Sequence, residues 1–280
     1  MSIIELNNVS YSVKGRDILN EITFSLNKGD RLAILGHNGS GKTTLLEIMT
    51  DITKPRTGKV LYQGYGFKSV KKEVGVVWDN ITFFQWLKPK EVIEYVSSMY
   101  KKNINHSLYE LLEIGRFENN LMRKLSQGER KRVQIYIATF HNPNYLLLDE
   151  ATSEIDPLMK DRIWQDVFLG TAKTLIFTTH QWEEAEKYAT KFLFLHKGNM
   201  MNSPKEIKEL IAESNLSKKV VVHNSIDLVG INIFSYEYEN NKVFLIENGD
   251  EKTFDLIKKQ TLNYTSLSID IKDLFYFYSK

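Results

Sequence analysis

Read for its apolar and polar positions, the chain opens as short strand-length runs. Ile3 to Val13 and Ile18 to Leu26 alternate in part and turn at Lys14-Gly15-Arg16-Asp17, which predicts a pair of strands. Arg31-Leu32-Ala33-Ile34-Leu35 is a compact apolar run of buried-strand length. Thr43 to Met49 follows with Leu45, Leu46, Ile48 and Met49 available for packing, a short helix. Lys54-Pro55-Arg56-Thr57-Gly58 is a turn, and Lys59–Gln63 and Val74–Val77 read as further strands. From Lys88 to Ile114 the period becomes helical through Val92, Ile93, Val96, Met99, Tyr100, Leu108, Leu111 and Leu112, a block that separates two strand-rich halves. Tyr145–Leu148 and Thr174–His180 are again buried-strand runs, the second ending at a polar tip, and Lys205–Ile211 reads as a helix closing the core.

Beyond about Asn215 the texture changes. Strands are predicted at Lys219–His223, Ile231–Tyr238, Lys242–Glu247 and Tyr264–Ile269, with helices at Phe254–Lys259 and Ile271–Tyr278. The aromatic run Phe275-Tyr276-Phe277-Tyr278 fits the core of this second unit better than a partner surface.

Composition narrows the function classes. With 280 residues, 42% hydrophobic and 26% charged, the chain has the make-up of a globular protein with one substantial core and a smaller second unit. A formal net charge of +2 gives no broad basic surface for nucleic acid or anionic lipid. The absence of cysteine excludes a disulfide framework, a thiolate nucleophile and a Cys-ligated zinc site. Met1-Ser2-Ile3-Ile4-Glu5 lacks the basic and apolar regions of a signal peptide, and no apolar run nears the roughly 18 residues of a membrane span. Work at a membrane would need another subunit to supply the membrane part.

The candidate chemistry starts at Gly36-His37-Asn38-Gly39-Ser40-Gly41-Lys42-Thr43-Thr44, which fits G-x-x-x-x-G-K-[ST] between a strand and a helix. The glycines let backbone N–H groups converge on an anion, Lys42 reaches toward β- and γ-phosphates, and the Thr43 hydroxyl suits Mg²⁺. Leu125-Ser126-Gln127-Gly128-Glu129-Arg130 is a helix start, with Ser126 and Glu129 as a capping box; a serine, a glycine N–H and a helix N-terminus also make a second phosphate-binding surface. Arg130, Lys131 and Arg132 read as the solvated face of that helix. The strand Tyr145–Leu148 ends in Asp149-Glu150: Asp149 is placed to share the Mg²⁺ of Thr43, and Glu150 to polarise the water attacking the γ-phosphorus. Asp156 before Pro157 is explained as a helix N-cap. His180 ends a strand expected beside the one carrying Asp149, near the γ-phosphate. Tyr11 is a strand aromatic upstream of the loop, open to stacking on adenine.

The ordered set of phosphate loop, Leu125–Glu129, Leu148-Asp149-Glu150 and Thr179-His180 resembles the ATP-binding subunit of ABC transporters over roughly residues 1 to 213. The resemblance implies an α/β P-loop NTPase core, a mixed sheet with helices, an antiparallel β subdomain and a helical subdomain at about 80–140. A small C-terminal α+β extension at 214–280, and the Lys54–Trp78 region, resemble those of exporter-type subunits. Tyr11 looks like the adenine-stacking aromatic and Gly36–Thr44 like the Walker A loop. Ser126, Gln127 and Gly128 look like the signature motif that contacts the γ-phosphate held by the opposite protomer. Asp149 and Glu150 match the Walker B aspartate and catalytic glutamate, Asp156 the loop across the dimer, and His180 the switch histidine.

Two departures stand out. The signature reads Leu-Ser-Gln-Gly-Glu rather than the commoner Leu-Ser-Gly-Gly-Gln, and Asp79, with Gln85 as a second candidate, stands where a glutamine near Mg²⁺ is usual. The resemblance implies an ATP- and Mg²⁺-dependent ATPase at the cytoplasmic face of the membrane. It would act as a homodimer, or a heterodimer with a related chain, docked on separate permease subunits, with export the favoured direction. The alternative is a soluble ABC-type ATPase acting on ribosomes or nucleic acid. Such proteins usually carry two cassettes or long coiled coils, and this chain shows no internal repeat or sustained heptad run. A regulator that binds ATP without hydrolysing it conflicts with Glu150 and His180 both being present.

Overall fold

In a computed structural model, residues 2–79, 84–171, 174–223 and 233–279 are described, and the chain divides into two compact units, Met1–Pro204 and Lys205–Lys280. The first unit carries nine described strands, β1 (Ser2–Val13), β2 (Arg16–Asn27), β3 (Arg31–Leu35), β4 (Thr57–Tyr62), β5 (Val74–Val77), β6 (Tyr145–Asp149), β7 (Thr174–Thr178), β8 (Lys191–His196) and β9 (Asn199–Met200). They form two sheets. An antiparallel sheet has the order β2-β1-β4, and a six-stranded sheet has the order β5-β6-β7-β3-β8-β9. In the larger sheet β5 to β8 pair in parallel and only β9 runs antiparallel to its neighbour.

The parallel strands are continuous apolar runs because both faces of their sheet are covered. Leu32, Ile34, Leu147, Ile176, Leu193 and Leu195 point to one face, where they join Leu45, Leu46, Ile48 and Met49 of the helix Lys42–Met49 and the antiparallel sheet in one core. Phe177, offset by one residue in β7, packs on the opposite face against Trp164, whose ring stacks on Tyr188 at 4.2 Å. The sequence period of two thus decides which face each residue serves.

The helical block between β5 and β6 contains Pro89–Tyr100, His106–Leu111 and Gln127–Thr139; positions 80–83 at its edge lie outside the described residues. Pro89 opens its helix at a position where the missing N–H costs nothing, and Asn105 and Ser126 cap the other two through their side chains.

The second unit differs from the sequence expectation at its start. The helix expected at Lys205–Ile211 to close the first core spans Ile207–Ser214 and belongs to the second unit. Its Leu210 is buried, and its carbonyl accepts from the Tyr278 hydroxyl at 3.3 Å, so its apolar face is committed to the C-terminal residues. Strands β10 (Leu216–Val222), β11 (Ser235–Tyr238), β12 (Asn241–Glu247) and β13 (Tyr264–Leu267) form an antiparallel sheet in the order β11-β12-β10-β13. Positions 231–232 of the strand expected at 231–238 lie outside the described residues. Val220, Val222, Phe244 and Ile246 pack with Ile257 of the helix Glu251–Gln260. In the last helix, Ile271–Tyr278, Phe275 is fully buried as a core aromatic, whereas Tyr276, Phe277 and Tyr278 are half-buried, Tyr276 stacking on Tyr236 at 4.2 Å.

Candidate nucleotide site

Strands β6, β7 and β3 are neighbours, run parallel and end together: Asp149 lies beside Thr178, and Thr178 beside Ile34. The segments leaving their C-terminal ends therefore converge, at the edge where open α/β sheets place their ligands.

Out of β3, residues 36–41 curl over the start of the helix Lys42–Met49, with the Ser40 amide donating to the His37 carbonyl at 3.1 Å. Gly41 sits at φ 107°, and a Cβ there would lie 2.7 Å from Leu19 Cδ2 and 3.0 Å from the Ile18 carbonyl oxygen. Only glycine lets β2 pack this closely on the loop. Gly41 also supplies no side-chain cap, so the first-turn N–H groups and the positive end of the helix face outward for an anion.

Lys42 is buried, and its ammonium donates to the carbonyls of Gly36 at 2.7 Å and His37 at 3.2 Å. Burial pulls its pKa below the usual lysine value, while the Glu150 and Asp149 carboxylates oppose that pull. Asp149, 2% exposed, accepts from Thr43 Oγ1 at 2.8 Å on one oxygen and from Thr178 Oγ1 at 2.6 Å on the other. Glu150 Oε2 stands 3.0 Å from His180 Nδ1. A cleft of about 760 Å³ opens between these groups, lined by Asn38, Gly39, Gly41, Lys42, Thr43, Thr44, Glu150 and His180, with Asp79, Arg16 and Ile18. That is the size of a small-molecule site, and its wall carries a phosphate-type loop, a lysine and a carboxylate–imidazole pair.

Comparison with known proteins gives this geometry a family. The ABC transporter family profile matches residues 19–153. The energy-coupling factor transporter ATP-binding protein EcfA1 of Mycoplasmopsis synoviae is 30% identical over 226 residues, covering 73% of this chain and 84% of the relative. This chain belongs to the ATP-binding subunits of ABC transporters. Nod factor export ATP-binding protein I of Rhizobium johnstonii is 29% identical over 208 residues (70% and 67% of the two chains). The sulfate/thiosulfate import ATP-binding protein CysA of Pectobacterium atrosepticum is 29% identical over 228 residues (73% and 67%). Among solved structures, an ATP-binding subunit of an ABC transporter superposes with a TM-score of 0.68 at 20% identity, covering 76% of this chain and 93% of its own, which supports the ABC ATPase fold.

Within this family member, the remaining residues singled out by sequence fall in three places. Gly36, His37 and Ser40 form the body of the loop behind the cleft, with Ser40 buried and the His37 ring 6.4 Å from that of His196. Tyr11 pairs with Leu19 across β1 and β2 and packs half-buried on the core beneath, outside the cleft wall. Ser126, Gln127, Gly128 and Asp156 also stand outside that wall. Ser126 accepts from the Glu129 amide at 3.2 Å while Glu129 accepts from the Ser126 amide at 2.8 Å, the capping box expected from sequence. Asp156 caps Pro157–Arg162 by accepting from the Met159 amide at 3.0 Å. These two helix starts approach each other: a Cβ on Gly128 would lie 2.6 Å from the Glu154 carbonyl oxygen. The loop carrying Glu154 is tied down by Glu184, which accepts from Thr152 and, at 2.9 Å, from Trp164 Nε1.

Asp79 lines the cleft and pairs with Lys131 at 3.3 Å, whereas Gln85 is exposed and its carbonyl accepts from the Arg123 amide at 3.2 Å. Lys131 corrects the reading of Arg130-Lys131-Arg132 as a solvated face, since it is 3% exposed and turned inward toward the ends of β5 and β6. Arg132 is also engaged, donating to the Leu112 carbonyl at 3.3 Å and pairing with Glu113 at 3.1 Å. Sequence reasoning missed Arg16 and Ile18 as cleft residues. The turn at Lys14–Asp17 was visible, but the path of β2 over the loop is a tertiary contact.

Proposed function

We propose that this ABC-family ATPase drives transport through separate membrane permease subunits, as a head-to-tail pair of ATP-binding subunits with two ATP molecules buried between them. The observation that carries the reading is the convergence of Lys42, Thr43, Asp149 and the Glu150–His180 pair at the ends of three adjacent strands. The loop amides and Lys42 hold the β- and γ-phosphates. The Glu150 carboxylate takes up a proton from a water as the water's oxygen forms a bond to the γ-phosphorus, and the bond from that phosphorus to the bridging oxygen breaks, leaving ADP and phosphate. His180, bonded to Glu150, sits where it can contact the γ-phosphate.

The donor set fits Mg²⁺. Thr43 Oγ1 and Asp149 Oδ2 are hard oxygen donors 2.8 Å apart, and no group of three or more His, Asp or Glu residues suited to a metal ion occurs among the described residues. A cation held by one hydroxyl and one carboxylate, with waters and phosphate oxygens completing its shell, is the habit of Mg²⁺. Bound there by Thr43 and Asp149, Mg²⁺ would offset phosphate charge. Asp79 faces the same cleft and is the proposed third protein oxygen near it.

Ser126, Gln127, Gly128 and Asp156 lie outside this chain's own cleft, which fits their proposed use on the ATP of the opposite copy. Tyr11 would offer its ring to the adenine from β1. No helix among the described residues is long and apolar enough to cross a membrane. On its kinship with ATP-binding subunits of membrane transporters, the subunit is proposed to sit at the cytoplasmic face, on its permease. Export is the proposed direction, on the sequence resemblance of the 54–78 region and the small C-terminal unit to exporter-type subunits. The test is a detergent pull-down with tagged Glu150→Gln protein, with and without Mg-ATP. Recovery of a polytopic membrane protein is expected; recovery of ribosomes or nucleic-acid-bound proteins without one overturns the transport reading.

A further inference from the structure

A lysine ammonium buried to 3% exposure is costly unless each of its donors is met, so the partners of Lys131 reveal what its burial accomplishes. It has three. The ammonium donates to the Trp78 carbonyl at 3.0 Å, to Asp79 Oδ1 at 3.3 Å and to the Glu150 carbonyl at 3.2 Å. Trp78 and Asp79 follow β5 directly, and Glu150 follows β6, so one cation closes the ends of two neighbouring strands where the cleft begins.

The contact with Glu150 falls on an unusual peptide. Glu150 has φ 46°, in the left-handed region that a residue with a side chain enters at a cost and keeps only when its surroundings enforce it. On one side its amide donates to Thr178, to the carbonyl at 3.3 Å and the hydroxyl at 3.2 Å. On the other side its carbonyl accepts from Lys131 and from the Ser153 hydroxyl at 3.0 Å. Held so, its carboxylate reaches His180 Nδ1 at 3.0 Å.

We infer that Lys131 is a positioning residue for hydrolysis: its ammonium fixes the left-handed Glu150 peptide that aims the carboxylate into the cleft, and binds that peptide to the Trp78–Asp79 segment. The inference rests on the proposed role of Glu150 as the group that activates the attacking water. It has a mechanical consequence. Lys131 stands in the helix that begins at Ser126, so a displacement of that helix relative to the strand ends pulls on Glu150 directly.

The test compares Lys131→Met and Lys131→Gln with the wild-type chain and with Glu150→Gln, measuring steady-state ATPase kinetics with Mg-ATP and nucleotide affinity with a fluorescent ATP analogue. A misplacement of the activating group lowers turnover while leaving the phosphate loop intact. Lys131→Met is therefore expected to lose about ten- to a hundredfold in kcat with KM and affinity within about twofold. Lys131→Gln keeps a donor but cannot serve all three acceptors, so its kcat is expected between the two at unchanged KM. Should the methionine variant fail to fold, the glutamine variant carries the test alone, and a wild-type kcat in it overturns the inference. Wild-type turnover in Lys131→Met beside an inactive Glu150→Gln overturns it as well. If Glu150→Gln itself hydrolyses ATP at the wild-type rate, the role of Glu150 falls first and the inference falls with it.

Discussion

Replacing Gly128 with alanine sets two effects of opposite sign against each other, and the structure says which wins. Gly128 is the second residue of the helix Gln127–Thr139, and alanine favours a helix interior over glycine by about 1 kcal/mol, less in the first turn. Taken alone, that would stabilise the protein. The added Cβ, however, would lie 2.6 Å from the Glu154 carbonyl oxygen. Carbon and carbonyl oxygen in close contact normally keep about 3.3–3.6 Å, so one backbone has to withdraw by roughly 0.7–1.0 Å.

Neither backbone can do so freely. The helix start is fixed by the Ser126–Glu129 box, and the Glu154 loop by Ser153 and Ile155 amides donating to Glu150 and Thr152 at 3.3 Å each. Overpacking of this kind costs about 1–3 kcal/mol, which leaves a net loss of about 0.5–2.5 kcal/mol after a first-turn helix gain of about 0.5 kcal/mol. For a unit of this size that lowers Tm by roughly 1–10 °C. Scanning calorimetry of the nucleotide-free chain checks it, with Gly170→Ala as the control. Gly170 lies in the short helix Leu169–Thr171 with nothing within 4 Å of its would-be Cβ, so alanine there should leave Tm unchanged or raise it. If Gly128→Ala melts no lower than the wild-type chain, the close approach of the two helix starts is refuted.

Further expectations follow from the same geometry. Glu150→Gln should bind Mg-ATP, lose at least about a hundredfold in turnover and accumulate as a dimer on light scattering; a variant that stays monomeric at saturating Mg-ATP contradicts the head-to-tail pair. Lys42→Ala should lose the stabilisation that ATP confers on the wild-type chain, roughly 2.7 kcal/mol at a hundred times Kd, and an undiminished thermal shift would show that Lys42 does not hold phosphate. His141 is 5% exposed, and burial, reinforced by the Lys102 ammonium, holds its imidazole down to about 4 from the ordinary 6.5. Between those values the unfolded chain binds a proton that the native chain refuses. Its contribution is full above about 6.5 and is lost as pH falls toward about 4, by up to roughly 3 kcal/mol. Urea midpoints at about pH 7.5 and about pH 5 should diverge less in His141→Phe than in the wild-type chain, and an equal divergence would exclude His141 as the source.

Much of the molecule is written locally, and that part was legible. The strands at Arg31–Leu35, Val74–Val77 and Tyr145–Asp149, the capping box at Ser126 and Glu129, and the Asp156-Pro157 helix start all rest on residues a few positions apart. So does the loop at 36–41, where glycines and the following Lys42 specify an anion-binding turn before any packing is known. Even the pairing of the His180 strand with the Asp149 strand could be anticipated, since parallel strands joined by helices seldom have far to travel.

Other features required the tertiary structure. Nothing in Arg130-Lys131-Arg132 distinguishes the inward residue from its neighbours, because a long polar side chain on a helix is read as solvated until something on the facing strands offers it acceptors. The left-handed peptide of Glu150, the seat of β2 against Gly41 and the assignment of Ile207–Ser214 to the second unit are likewise contacts between segments distant in sequence. By itself, then, the sequence determined the family, the phosphate loop and the acidic strand end, because these are short-range patterns of backbone freedom and hydrophobic period. The tertiary structure alone decided which cation is buried, which carboxylate it restrains and which walls close the cleft, because burial and desolvation are properties of what packs around a residue and not of the residue's own neighbours in the chain.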